Sequence, residues 1–379
     1  MQYFETYTSN TVAGSGNQFF FRMPQDEIRT GRIFYKISTP GEYHYSLLFS
    51  NIIDSTFADG TLSHKNLICD EWQIHSAQIG RCSKPFPPKL LSEMTMNDNS
   101  SHADIVVSDL QEITFQGKKQ KTVMPGEFFS SDPVKIDFQR DDYLCLEMTF
   151  SGEMIPYHEE TLLPVFVKQN DEWIYSKQMP VAGMIGCDRP VCARIGYVGD
   201  SITQGIGTEP NSYLHWNAVL SEKMGERYAF WNLGLGYGRA NDLASGGAWL
   251  YKAQQNDIVF VCYGVNDILR GFSEDQIKSD LADIVHTLKK QNKTVILQTI
   301  PPFDYQDENI EKWNKLNQYI KTELSDKADL IFDNSLILSE CKEKAHLAKY
   351  GGHPNAKGCT LWAEALFEQT ALFLNQNNV

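Results

Sequence analysis

From about residue 194 the chain alternates short apolar runs with longer amphipathic ones, and this alternation constrains its fold most. Arg194–Val198, Tyr228–Asn232, Asp257–Tyr263, Thr294–Thr299 and Leu330–Phe332 are short, and rich in β-branched and aromatic residues. Parallel strands buried on both faces read this way. Tyr213–Met224, Asp242–Lys252, Glu274–Lys290 and Asn309–Leu324 have helical character between them, and an amphipathic helix covers about 356–374. Strand and helix in turn predict a parallel sheet with helices on both faces. Such sheets gather their chemistry at the carboxyl ends of the strands.

The first half reads differently. Gly31–Ile37, Tyr43–Ser50, Ile105–Val107, Val134–Phe138 and Tyr143–Phe150 are short, partly alternating strand candidates separated by Gly, Pro, Asn and Asp clusters. No convincing helical periodicity accompanies them, which predicts an all-β sandwich or jelly-roll-like module. At 379 residues the chain exceeds what one core usually organises. The expected division is a β domain over 1–185 and an α/β domain over 186–379.

A formal net charge of −14 argues against nucleic acid or an anionic membrane as partner. No apolar run approaches the roughly 18 residues that span a bilayer. The start, Met1-Gln2-Tyr3-Phe4-Glu5-Thr6, lacks a basic and then apolar leader pattern, so the expectation is cytoplasmic, with a secreted protein trimmed of its leader as the alternative. Eight scattered cysteines include no CxxC pair, which favours buried free thiols in a reducing compartment.

Four signals fall near carboxyl ends of predicted strands. They are Gly199-Asp200-Ser201, Asn232-Leu-Gly-Leu-Gly-Tyr-Gly-Arg239, Gly264-Val265-Asn266-Asp267 and Gly352-His353-Pro354-Asn355. A serine hydroxyl becomes a nucleophile when a base such as His353 takes its proton. A glycine-rich turn and an Asn side chain can supply N–H donors to the oxyanion of a tetrahedral intermediate. Together the four suit acyl transfer.

These four blocks, in this order, resemble those of the SGNH (GDSL-type) hydrolases, over about residues 192–379. The resemblance implies a flavodoxin-like α/β fold and a cofactor-free, metal-free carboxylic ester hydrolase. It implies Ser201 as nucleophile and oxyanion donor, His353 as base and Asn266 as side-chain donor. The remaining donor falls within Gly234–Gly238: Gly236 is the candidate chosen, although strict spacing from Asn232 reaches Tyr237. The family usually has an aspartate three residues before the histidine, where this chain has Tyr350. A backbone carbonyl near Tyr350 would leave a Ser–His dyad, which is the favoured arrangement. Asp333 could orient the histidine instead, or the enzyme could be impaired. Asp200, Arg239 and Asn241 are candidate substrate contacts.

The β-rich first half resembles modules that precede the SGNH domain in some carbohydrate esterases. That layout implies a small acyl group, most simply acetyl, on a carbohydrate, with a small-molecule or oligosaccharide ester as partner. A lipase or lysophospholipase, and a non-catalytic carbohydrate-binding protein, are the alternatives. His158 with Glu159-Glu160 is read as a solvated loop more readily than as a site wall. Trp216, Trp231, Trp249 and Trp313 read as core before sugar platform, and Glu343 with His346 lacks a third metal ligand.

Overall fold

The structure, a computed structural model, describes residues 2–54, 66–83, 105–306, 308–338, 348–349 and 352–376. Two compact units emerge: Met1–Pro190 with Glu209–Asn211, and Val191–Thr208 with Ser212–Val379.

The first unit is antiparallel β structure. One sheet orders its strands Thr8–Ser9, Met184–Cys187, Gly41–Ser50 and Phe128–Ser130, with Val134–Phe138 also paired to Gly41–Ser50. A second runs Glu172–Tyr175, Val165–Gln169, Arg29–Lys36, Tyr143–Gly152, Trp72–Cys82 and Ser108–Glu112, with Lys121–Val123 paired to Trp72–Cys82. Along Tyr143–Gly152, Leu146, Met148 and Phe150 are fully buried while Glu147, Thr149 and Ser151 are half-buried. That two-residue period is the one expected of a strand with one face on a core. The candidate strand Ile105–Val107 is irregular, and the strand begins instead at Ser108. His158 is 0% exposed and so does not lie in a solvated loop.

The second unit is built on five parallel strands: β1 (Ala193–Gly199), β2 (Tyr228–Gly234), β3 (Ile258–Cys262), β4 (Thr294–Gln298) and β5 (Leu330–Phe332). Their order is β2-β1-β3-β4-β5. This is the doubly wound, flavodoxin-like order, whose switch point lies between the first and third strands. Every residue of β2 and β3 is buried, which explains their unbroken apolar character.

Ser201–Gln204 forms a one-turn helix, α1, and Trp216–Met224 forms α2. The helix expected over 242–252 is two helices, α3 (Ala240–Ala244) and α4 (Ala248–Ala253). They are separated at Gly246-Gly247, both at positive φ, where a continuous helix cannot form. Then come α5 (Val265–Leu269), α6 (Glu274–Lys290), α7 (Glu308–Glu323) and α8 (Ala356–Gln376). Trp216 of α2 and Trp362 of α8 stack with ring centroids 5.0 Å apart. Trp362 Nε1 also donates to Gln298 Oε1 at 2.8 Å, fixing α8 to the end of β4. Trp216, Trp231, Trp249 and Trp313 are all buried core residues. No helix among the described residues is long and apolar enough to cross a membrane.

Candidate active site

β1 runs into the Gly199-Asp200-Ser201 turn, and close approach requires a glycine at its end. A Cβ at position 199 would collide with Thr203 Oγ1 and come within 2.6 Å of the Cys262 carbonyl. Without one, α1 folds directly onto the ends of β1 and β2. Asp200 caps α1, its side chain accepting the Ile202 N–H at 2.9 Å. It is buried, and burial pushes its carboxyl up to about 7. Asp200 therefore builds the turn.

Ser201 follows as the first residue of α1, half-buried, with Oγ 2.8 Å from His353 Nε2. His353 comes from the far end of the chain. It lies on a two-residue strand, His353–Pro354, paired with Ala348–Lys349 so that His353 faces Lys349. Asn355 then starts α8, its carbonyl accepting the Cys359 N–H and its side chain the Gly358 N–H. The helix pinned by Trp362 thus holds the strand that carries the imidazole. A serine hydroxyl and an imidazole nitrogen at this distance can exchange a proton.

The turn after β2 is closely tied. Gly234 donates to Asn232 Oδ1 at 2.9 Å, Leu235 to the Gly199 carbonyl at 3.0 Å and Gly238 to the Leu235 carbonyl at 3.0 Å. The Gly236 N–H donates to Gln204 Oε1 at 2.7 Å. Gly236, the candidate oxyanion donor, is therefore committed to a side chain one turn beyond the serine. Tyr237, the position reached by strict spacing, has φ +61°, in the left-handed region. Asn266, half-buried on α5, directs Nδ2 to the Gly238 carbonyl at 3.0 Å. An amide nitrogen carries two hydrogens, so one such bond does not exhaust it. Asp267 beside it accepts the Ala240 N–H at 3.1 Å, and burial pushes its carboxyl up to about 7.

Three other candidates have structural tasks. Arg239 is buried, pairs with Asp242 (Nη2 to Oδ1, 2.7 Å) and lies 5.0 Å from the Phe272 ring centroid. Asn241 donates to the Asp280 carboxylate at 3.1 Å, joining α3 to α6. Asp333 accepts from Thr299 Oγ1 at 3.1 Å, Lys321 Nζ at 3.0 Å and the Ser335 hydroxyl; His353 is not among its partners. Partial burial raises the Asp333 carboxyl, but the bonds from Ser335 and Lys321 outweigh it and hold the pKa below its ordinary value.

Tyr350, Glu343, His346 and Cys341 lie outside the described residues. The other cysteines are free; Cys192 is exposed and the rest are buried. Among the described residues no group of three or more His, Cys, Asp or Glu could hold a metal ion. Sequence reasoning missed Gln204 and Phe303. Gln204 had a signal, as a polar residue three places after the serine in a helix too short to expose it. Phe303, whose ring lies 5.2 Å from the His353 ring, follows the Pro301-Pro302 stop of β4 at the same sheet edge.

Comparison with known proteins agrees with this architecture. Residues 197–361 match the GDSL-like Lipase/Acylhydrolase family. The match lies within the α/β half of the chain. No curated protein sequence matches it. Solved structures it is similar to include a lipolytic protein of the G-D-S-L family from Veillonella parvula (21% identity, 46% of this chain and 96% of that one, TM-score 0.40). Another is the psychrotrophic esterase EstA from Pseudoalteromonas sp. (19%, 48% and 98%, 0.40). A third is Axe2, an acetylxylan esterase from Geobacillus stearothermophilus (20%, 48% and 94%, 0.39).

Proposed function

We propose that this protein hydrolyses short acyl esters, acetyl esters of carbohydrates in particular, through a serine acyl-enzyme. The observation that carries the mechanism is the 2.8 Å approach of Ser201 Oγ to His353 Nε2. Nε2 takes the hydroxyl proton as Oγ attacks the ester carbonyl, and a tetrahedral oxyanion forms. The Ser201 N–H, the Asn266 amide and an amide of the turn after β2 stabilise it. Within that turn we assign the donor to Tyr237, on its left-handed backbone and on the engagement of Gly236 by Gln204. The imidazolium then protonates the leaving alcohol. Water, deprotonated by the same imidazole, attacks the acyl-enzyme and releases the carboxylic acid and Ser201. We place the orientation of His353 on the pairing of its strand with Ala348–Lys349 and not on Asp333.

The carbohydrate acetate part of the proposal rests on layout: an antiparallel β-rich unit precedes an acylhydrolase domain. The test compares wild type with Ser201→Ala on p-nitrophenyl acetate, butyrate and octanoate, and on acetylated xylan and mannan. Ser201→Ala is expected to lose about a thousandfold or more in kcat/KM. Preference for acetate with acetic acid released from a polysaccharide is the expected pattern. Preference for octanoate would overturn the sugar-acetate reading, and equal rates for wild type and Ser201→Ala would overturn the mechanism.

A further inference from the structure

Phe303 lies in the loop after β4, and its ring meets the His353 imidazole edge to face. The centroids are 5.2 Å apart and the planes 79° apart. The ring also lies against the backbone just before the histidine. Gly352 has φ +110°, and a Cβ there would come within 2.9 Å of Phe303 Cγ and Cδ2. Gly207 touches the same segment, where a Cβ would lie 2.6 Å from the Pro354 carbonyl and 2.9 Å from His353 Cβ.

The loop that carries Phe303 is braced by α7. Trp313 Nε1 donates to the Ile300 carbonyl at 2.8 Å. One turn further along the helix, Asn317 Oδ1 accepts the Ile300 N–H at 2.7 Å, while Nδ2 donates to the Ile300 carbonyl at 3.0 Å. Tyr305 OH donates to the Pro301 carbonyl at 3.2 Å, and its ring lies between those of Phe303 (6.2 Å) and Trp313 (6.0 Å). A helix thus supports a loop, and the loop presents a ring to the imidazole.

We propose that Phe303 is a positioning residue for His353, helping to hold the imidazole so that Nε2 faces Ser201 Oγ. The inference rests on the Ser201–His353 hydrolase reading. Proton transfer needs Nε2 held against Ser201 Oγ, so the orientation of the ring about its side-chain torsions matters. An edge-to-face neighbour restrains that orientation, because aromatic pairs favour defined offsets and angles. A misplacement of about 1 Å can cost on the order of a hundredfold in rate.

The experiment compares Phe303→Leu and Phe303→Tyr with wild type on p-nitrophenyl acetate, normalised to folded protein. Phe303→Leu is expected to lower kcat by about 10- to 100-fold and to leave KM nearly unchanged, and Phe303→Tyr to restore most of the rate. A raised KM with kcat intact would make Phe303 a substrate wall and overturn the proposal. So would a loss that tracks the folded fraction alone. A second readout needs no turnover: in the Ser201→Ala background, the His353 ring-proton NMR signal should lose its Phe303 ring-current shift in Phe303→Leu. An unchanged signal would overturn the contact. Equal turnover by wild type and Ser201→Ala would instead defeat the hydrolase reading, with the NMR comparison still deciding the contact.

Discussion

Gln204 Oε1 accepts the Gly236 N–H at 2.7 Å, joining the helix that begins with Ser201 to the turn after β2 through one side chain. Asn232 Nδ2 donates to the Gln204 carbonyl at 3.3 Å, so the same residue is held at both ends. Gln204→Leu would leave the Gly236 N–H buried without its acceptor, a cost of about 1–3 kcal/mol. We expect lowered stability in urea, and a kcat on p-nitrophenyl acetate reduced by more than the folded fraction accounts for. Retention of wild-type kcat would show that the turn holds its shape without the bond.

Asp333→Asn separates a structural carboxylate from a catalytic one. The side chain serves Thr299, Lys321 and Ser335, so turnover should stay within about threefold of wild type. Thermal stability should fall modestly, because the ion pair with Lys321 is lost. A drop of a hundredfold or more in kcat would mean that Asp333 acts on His353 after all.

The buried Asp200 carboxyl gives stability a defined pH dependence. Its folded pKa is raised to about 7. Below the ordinary carboxylate value both folded and unfolded chains are protonated, and the group costs nothing. As pH rises toward 7 the unfolded chain ionises first, so the folded state progressively loses stability. Asparagine can keep the cap to Ile202 without ionising. The Tm of Asp200→Asn relative to wild type should therefore improve between pH 5 and pH 8. A pH-independent difference would show that the native carboxyl ionises as readily as in the unfolded chain.

Gly199→Ala tests the close approach of α1 to the strand ends. The added methyl meets Thr203 and the Cys262 carbonyl, and overpacking of this kind costs about 1–3 kcal/mol. The urea midpoint should fall, and Ser201 should shift relative to His353 with loss of activity. An unchanged midpoint together with unchanged activity would show that the turn can yield there.

A short apolar run bounded by polar residues and a long amphipathic period each leave a plain record in sequence, which is why Leu330–Phe332 and Glu274–Lys290 were legible to the residue. Ser201, Asn266 and His353 were legible because strand ends and chemical residue types coincide there. Side-chain commitments were not. Asp200, Arg239 and Asn241 look like substrate contacts in a sequence, yet each is occupied by a neighbour: a backbone N–H, a carboxylate three residues on, and a carboxylate on another helix. The Gly236 amide was taken up in the same way by Gln204, 32 residues earlier. Periodicity reports burial of a face, and it is silent on which polar atom meets which.

Ser201 and His353 are separated by 152 residues, and the imidazole reaches the serine from the two-residue strand that precedes the last helix. During synthesis Ser201 therefore emerges well before His353, and on the proposed mechanism a chain cut short of residue 353 carries a hydroxyl with no base to take its proton.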